Sequence, residues 1–129
     1  STLPVIEKLD ARIESRINSV LKVIEVDNNS VKVDLYDNGD VDGDSVSIFY
    51  NNKLLMEGKR LTEKPISMLL HVDESPSTNE LIMYAENLGA IAPNTAYMVV
   101  TDGPNRYQIR ISSDLDRSGV IRFVKRKPH

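Results

Sequence analysis

The chain contains no cysteine and no tryptophan, and only two phenylalanines among its 129 residues. Without cysteine there is no disulfide, and no thiolate site for zinc or an iron–sulfur cluster. That does not assign a cytosolic address, because exported bacterial proteins also do without cysteine. Without tryptophan, the broad aromatic surfaces that sugar sites usually present are scarce. The five tyrosines, Tyr36, Tyr50, Tyr84, Tyr97 and Tyr107, fall mostly in strand-like runs, where packing against neighbours accounts for them. Histidine is nearly absent as well, with His71 and His129 the only two. His129 closes the given sequence and reads as a tag remnant, while His71 sits in a strand-like run. A Ser-His-Asp arrangement would rest on His71 alone, and no serine stands in a nucleophile-elbow context. Neither a GxGxxG nor a GxxxxGK[ST] phosphate loop is present. No apolar stretch approaches the roughly 18 residues that suggest a membrane span, and no signal peptide is visible. Ser1-Thr2-Leu3-Pro4 reads as the start of a mature or expressed chain. A net charge of −3 supplies no field to attract nucleic acid or an anionic membrane. Lys125-Arg126-Lys127 is the one basic cluster and reads as a solvated tail.

What is present is an ordinary globular mixture, 40% hydrophobic and 27% charged, at a length that suits one domain with a single core. Ile6, Leu9, Ile13 and Ile17 recur at spacings of three and four, with charged residues between them. That predicts a helical stripe, with Pro4 suited to its first turn. Its alternatives are a helix packed on its own domain, a linker, or an exchangeable partner-binding helix. From Ser19 the period changes to two. Val31, Val33 and Leu35 alternate with Lys32, Asp34 and Tyr36, and Tyr107, Ile109 and Ile111 alternate with Gln108, Arg110 and Ser112, as half-buried strands do. Ile121 and Phe123 flank Arg122 in the same manner. Apolar runs at 45–50, 66–72, 81–85 and 97–100 fit more deeply buried strands.

Turn chemistry separates these runs. Asp27-Asn28-Asn29 lies between two β-rich stretches, and Asp102-Gly103-Pro104-Asn105 suits a hairpin. Asn51-Asn52 suits a two-residue type I′ turn, because asparagine tolerates positive φ. Eight or nine short strands so punctuated predict an all-β antiparallel sandwich of immunoglobulin-like or jelly-roll type. The expected division is residues 1–18 as helix or linker, 19–125 as the sandwich and 126–129 as a tail.

Two segments stand out. Asp37-Asn38-Gly39-Asp40-Val41-Asp42-Gly43-Asp44 places four carboxylates within eight residues, which repel one another unless solvent, amides or a cation offset them. Asn38, Asp40, Asp42, Gly43 and Asp44 match the start of a DxDxDG loop, but its twelfth position is Phe49 rather than a bidentate glutamate, so it is no EF-hand. Two readings compete. In one, Asp37, Asp40, Asp42 and Asp44 help hold a structural calcium ion. In the other there is no cofactor, the Asx residues cap tight turns, and Gly39 and Gly43 take positive φ. The second segment runs from Ala85 to Ala96. Asn87, Leu88, Gly89, Ile91, Pro93 and Asn94 form either a binding loop or a crossover in which Leu88 and Ile91 plug one end of the sandwich.

These two segments, with Asn52-Lys53-Leu54-Leu55, Lys59-Arg60-Leu61, Arg106-Tyr107 and Ile111-Ser112-Ser113, carry a resemblance. The pattern, read approximately as DNGxxDGDxVxxxxNxK, then AENLGxIPPNTA, then a strand ending in LSS or ISS, resembles an uncharacterised β-sandwich module of exported and cell-envelope bacterial proteins. The resemblance spans about residues 20–125 and departs at Ala92, where that module usually has a first proline. It implies an extracellular, periplasmic or envelope location and an accessory domain appended to others, with no agreed activity.

The expectation is therefore a non-catalytic adhesion, assembly or spacer module whose partner is a protein or glycan at the cell surface. It is expected to bind no nucleic acid and to have no membrane span. A calcium-dependent carbohydrate-binding module is the alternative. A hydrolase using two carboxylates drawn from Glu57, Asp73, Glu74, Glu80 and Glu86 is a third, although any acidic protein offers such pairs.

Overall fold

A computed structural model describes residues 9–37, 45–75, 79–87 and 94–127. The chain folds as a β-sandwich. Among the described residues a single turn of helix, α1 (Ala11–Glu14), precedes nine strands: β1 (Ile17–Val26), β2 (Ser30–Tyr36), β3 (Ser45–Tyr50), β4 (Lys53–Arg60), β5 (Ile66–His71), β6 (Glu80–Ala85), β7 (Asn94–Asp102), β8 (Asn105–Ser113) and β9 (Arg117–Lys125). One sheet has the order β1-β9-β6-β3-β4 and the other β5-β2-β7-β8. Every ladder is antiparallel except that of β1 and β9, whose register runs in parallel from Ile17 opposite Arg117 to Val26 opposite Lys125. No described helix is long and apolar enough to cross a membrane.

The alternation read from the sequence sets the inner faces. Val31, Val33 and Leu35 of β2 meet Ile121 and Phe123 of β9 in one core shared by both sheets. Removing each of these side chains from water contributes roughly 1.5–3 kcal/mol. The two hairpins have the backbone that their residues favour. Asn51 and Asn52 both have positive φ (51° and 68°), as a type I′ turn requires, and Gly103 has φ 57° ahead of Pro104. At one corner the two sheets are stitched directly. The Ser113 hydroxyl donates to the Met83 carbonyl at 2.6 Å and accepts from the Gly119 amide at 3.0 Å. A Cβ on Gly119 would stand 2.6 Å from the Ser112 carbonyl oxygen, so the approach of β8 to β9 needs glycine there.

The N-terminal segment departs from the expected helical stripe. The helix is four residues long, and Ile17 opens β1 instead of extending it, so the five-stranded sheet already includes Ile17 and Asn18. The reason lies in pairing. The Ile17 amide donates to the Asp116 carbonyl at 3.0 Å, and a strand beside β9 satisfies a whole row of backbone groups that a short helix would leave to water. Asp10 caps the helical turn by accepting from the Arg12 amide at 2.9 Å. Ile6 lies outside the described residues and Leu9 is exposed. Ile13 is buried on the outer face of the five-stranded sheet, against Phe49, Ile82 and Val120. The segment thus packs on its own domain.

Two stability measurements check this account. Ile13→Asp should lower unfolding free energy by about 1–3 kcal/mol in urea melts, because it sets a charge on that buried patch. Gly119→Ala should cost about 1–3 kcal/mol as well, since the opposing atom is backbone and cannot swing aside. Unchanged melts would show that neither contact closes the fold.

Candidate functional site

The two segments singled out in the sequence leave and re-enter the sheets at the same end of the sandwich. Asp37 follows β2, and its amide donates to the Thr62 carbonyl at 2.8 Å. Ser45 opens β3 opposite Arg60. The Asn87 side chain accepts from the Ser45 amide at 3.0 Å, and the Glu86 amide donates to the Ser45 carbonyl at 2.9 Å. The end of the acidic segment and the start of the second segment are thereby tied together. Asp37 is buried. Asp40, Asp42 and Asp44 of the acidic segment, and Leu88, Gly89, Ile91 and Pro93 of the second, lie outside the described residues. Asn94 opens β7, its backbone paired with Ser113. Among the described residues no three His, Asp or Glu side chains converge as they would around a metal ion.

The helical turn closes over this end through two arginines that sequence reasoning passed over. The Arg12 guanidinium lies 5.2 Å from the centre of the Phe49 ring and bonds to Asp10 and Glu86, both at 3.0 Å. Those carboxylates raise the Arg12 pKa, the Asp10 hydrogen bond first, while the same bond holds Asp10 below the usual carboxylate range. Arg16 lies 3.7 Å over the Tyr84 ring and donates to the carbonyls of Ala85 at 2.6 Å and Asp114 at 3.0 Å. Each cation thus sits over a ring face while still donating to carboxylate or carbonyl oxygens. A spacing of four between charged residues in an apolar stripe was the available signal, and it could not name the rings.

Four of the five carboxylates that a hydrolase would draw on have polar partners. Glu86 also accepts from the Ser47 hydroxyl at 2.5 Å, Glu80 pairs with Arg122 at 2.8 Å, and Glu57 lies 3.7 Å from Arg12. Asp73 lies 3.0 Å from His71, and both side chains are more than half exposed, at 52% and 67%.

At the opposite end, two buried polar groups hold the turns. The Asp102 carboxylate accepts from the Asp27 amide at 2.7 Å, the Asn28 amide at 3.0 Å and the Asn28 side chain at 2.7 Å. Burial alone would push its pKa up, but these donors, with the Lys125 charge, hold it below the usual value. Asn79, buried with φ 70°, exchanges side-chain hydrogen bonds with both backbone groups of Asp73, at 2.8 and 2.7 Å. Its own amide donates to the Asn51 side chain at 2.6 Å. Beside it the Tyr50 hydroxyl donates to the His71 carbonyl at 2.5 Å, and burial, followed by the Asp73 charge, pushes its pKa up to about 12. These groups clasp the turns to one another.

Comparison of the chain with family models, with curated proteins and with solved structures gives no match.

The Asp102 clasp generates a pH prediction. A carboxyl whose folded pKa is depressed stabilises the fold above its unfolded value, about 3.9, and loses that contribution as pH falls through the folded value. Asp102→Asn should therefore cost about 1–3 kcal/mol at pH 7. The gap to the wild type should narrow as thermal melts are carried below about pH 4. A gap that stays constant to pH 2 would show that the charge contributes nothing.

Proposed function

We propose that the chain is a non-catalytic accessory module of a secreted or cell-envelope bacterial protein, serving adhesion, assembly or spacing. The observation that carries this reading is the joining of the two crossover segments at one end of the sandwich through Asn87 and Ser45. Connecting segments held at their ends by a β scaffold commonly serve as binding surfaces, and the Asn87–Ser45 bond supports that use here. Arginines pair with Glu57, Glu80 and Glu86, three of the five candidate carboxylates, and this supports binding over hydrolysis by any pair drawn from those three. The envelope location and the accessory role rest on the resemblance of the DNGxxDGDxV and AENLGxIPPNTA segments.

In this reading the acidic segment is a capped turn. The buried position of Asp37 and the anchoring of its amide to Thr62 suit such a turn, because they fix the point at which it begins.

Calorimetry separates this reading from a calcium-dependent sugar module. An ion bound with Kd near 10⁻⁴ M and supplied at a hundredfold excess adds about 2.7 kcal/mol, which moves a melting temperature by several degrees. About 10 mM calcium is expected to leave the melting temperature within a degree of its value in chelator. A glycan array should likewise read the same with and without calcium. A rise of several degrees, abolished by Asp42→Asn and unaffected by Val41→Ala, would replace the capped turn with a calcium site.

A further inference from the structure

The two sheets differ in what they show to solvent. The outer face of the five-stranded sheet is apolar at its centre and covered by α1. The outer face of the four-stranded sheet has no cover among the described residues, and its register sets polar side chains in rows. Asp34 of β2 stands between Ser67 of β5 and Val99 of β7, with Gln108 of β8 beyond. The next row is Leu69, Lys32, Thr101 and Arg106. Tyr36, Tyr97 and Arg110 form a third. A shallow groove of about 510 Å³ lies along this face, its walls including Lys32, Tyr36, Lys64 and Arg106 and its floor including Asp34 and Val99.

Charge on this face runs against that of the molecule. Among the described residues of this face, Lys32, Lys64, Arg106 and Arg110 stand against Asp34 alone, on a chain of net charge −3. Asp34 bonds to the Ser67 hydroxyl and lies 3.9 Å from Lys32. Among the described residues Lys64, Arg106 and Arg110 make no ion pair. Tyr36 and Tyr97 stack with ring centres 5.9 Å apart, and the Gln108 amide donates to the Tyr36 hydroxyl at 3.4 Å.

We propose that this face is a docking surface for an acidic polysaccharide, a chain of uronate-bearing sugars running along the strands. The proposal rests on reading the chain as a binding module and does not involve the acidic segment or calcium. Guanidinium groups take carboxylates in a planar two-point contact. The tyrosine pair and Val99 offer an apolar floor for the carbon faces of sugar rings. Gln108, Thr101, Ser67 and Asp34 supply donors and acceptors for hydroxyls. Asp34, at the centre of the groove, favours a sugar because it accepts from hydroxyls, which a polyuronate carries on every ring between its carboxylates. Stacked on each other, the tyrosines leave no slot between them for a base. Arg106 and Arg110 are four residues apart on one strand, about 13 Å. Charges that sparse suit one carboxylate per sugar better than clustered sulfates.

Affinity electrophoresis and titration calorimetry in chelator test this directly, with polygalacturonate, a neutral β-glucan, heparin and single-stranded DNA as probes. Polygalacturonate should bind more tightly than the other three. The double variant Arg106→Glu/Arg110→Glu should weaken that binding tenfold or more. Gln108→Ala, which changes no charge, should weaken it severalfold, whereas Lys59→Glu on β4 should have no effect. All of these side chains are exposed, so the variants should melt with the wild type. Tighter binding of heparin or DNA, equal loss in Lys59→Glu, or no polygalacturonate binding would each overturn the proposal. No polygalacturonate binding, together with a protein or neutral glycan captured equally by wild type and double variant, would overturn this face and leave the module reading standing. Sugar ends released from polygalacturonate bound as described would keep the face and sink the non-catalytic reading.

Discussion

A sheet that is apolar on both sides cannot face water on either, and the five-stranded sheet is such a sheet. Ile48, Leu81 and Ile121 fill the sandwich interior, while Phe49, Ile82 and Val120 point the other way and are just as buried. Something must lie over that second patch. The chain meets the constraint with a single turn of helix that sets Ile13 on the patch and flanks it with Arg12 and Arg16. The arginines let a very short cover suffice. Their stems add apolar area while their heads bond to Glu86 and to the carbonyls of Ala85 and Asp114. The cover is closely trimmed, and the Ser118 hydroxyl is left buried without a partner among the described residues.

The same economy shows in how the sheets are bounded. β4 is exposed along nearly its whole length, and an edge so exposed invites pairing with another chain. Its ladder with β3 is broken by register shifts around Ile48, and Gly58, with φ 57°, directs its amide to the Ser47 side chain. Bulges of this kind twist an edge away from ready pairing, and Lys53, Lys59 and Arg60 add charge to it.

Much of this was legible in the residues. Period-two alternation in β2 and β8 is a local property, and so is the asparagine pair at 51–52, whose positive φ follows from side-chain chemistry alone. The continuous apolar runs of β3 and β6 signalled burial on both faces. The N-terminal stripe misled because its apolar spacing was satisfied by different partners. Ile13 turned to the sheet's outer face, while Ile17 joined a ladder whose other strand lies about a hundred residues away in sequence. Asp102 was equally opaque, since its donors Asp27 and Asn28 are brought to it only by the pairing of distant strands. At the candidate site the sequence singled out both segments, yet it gave no sign that Asn87 would bind one to the other.

The parallel ladder of β1 and β9 has a mechanical consequence. The chain enters β1 at Ile17, at the end where the crossover segments lie, and leaves β9 at Lys125, at the far end. Tension applied through the flanking chain would therefore pull the two strands lengthwise past each other. Their hydrogen bonds would be loaded together in shear, rather than opened one after another like a zip. A domain threaded in this way resists stretching far better than its modest size suggests, because no single bond can yield before its neighbours share the strain.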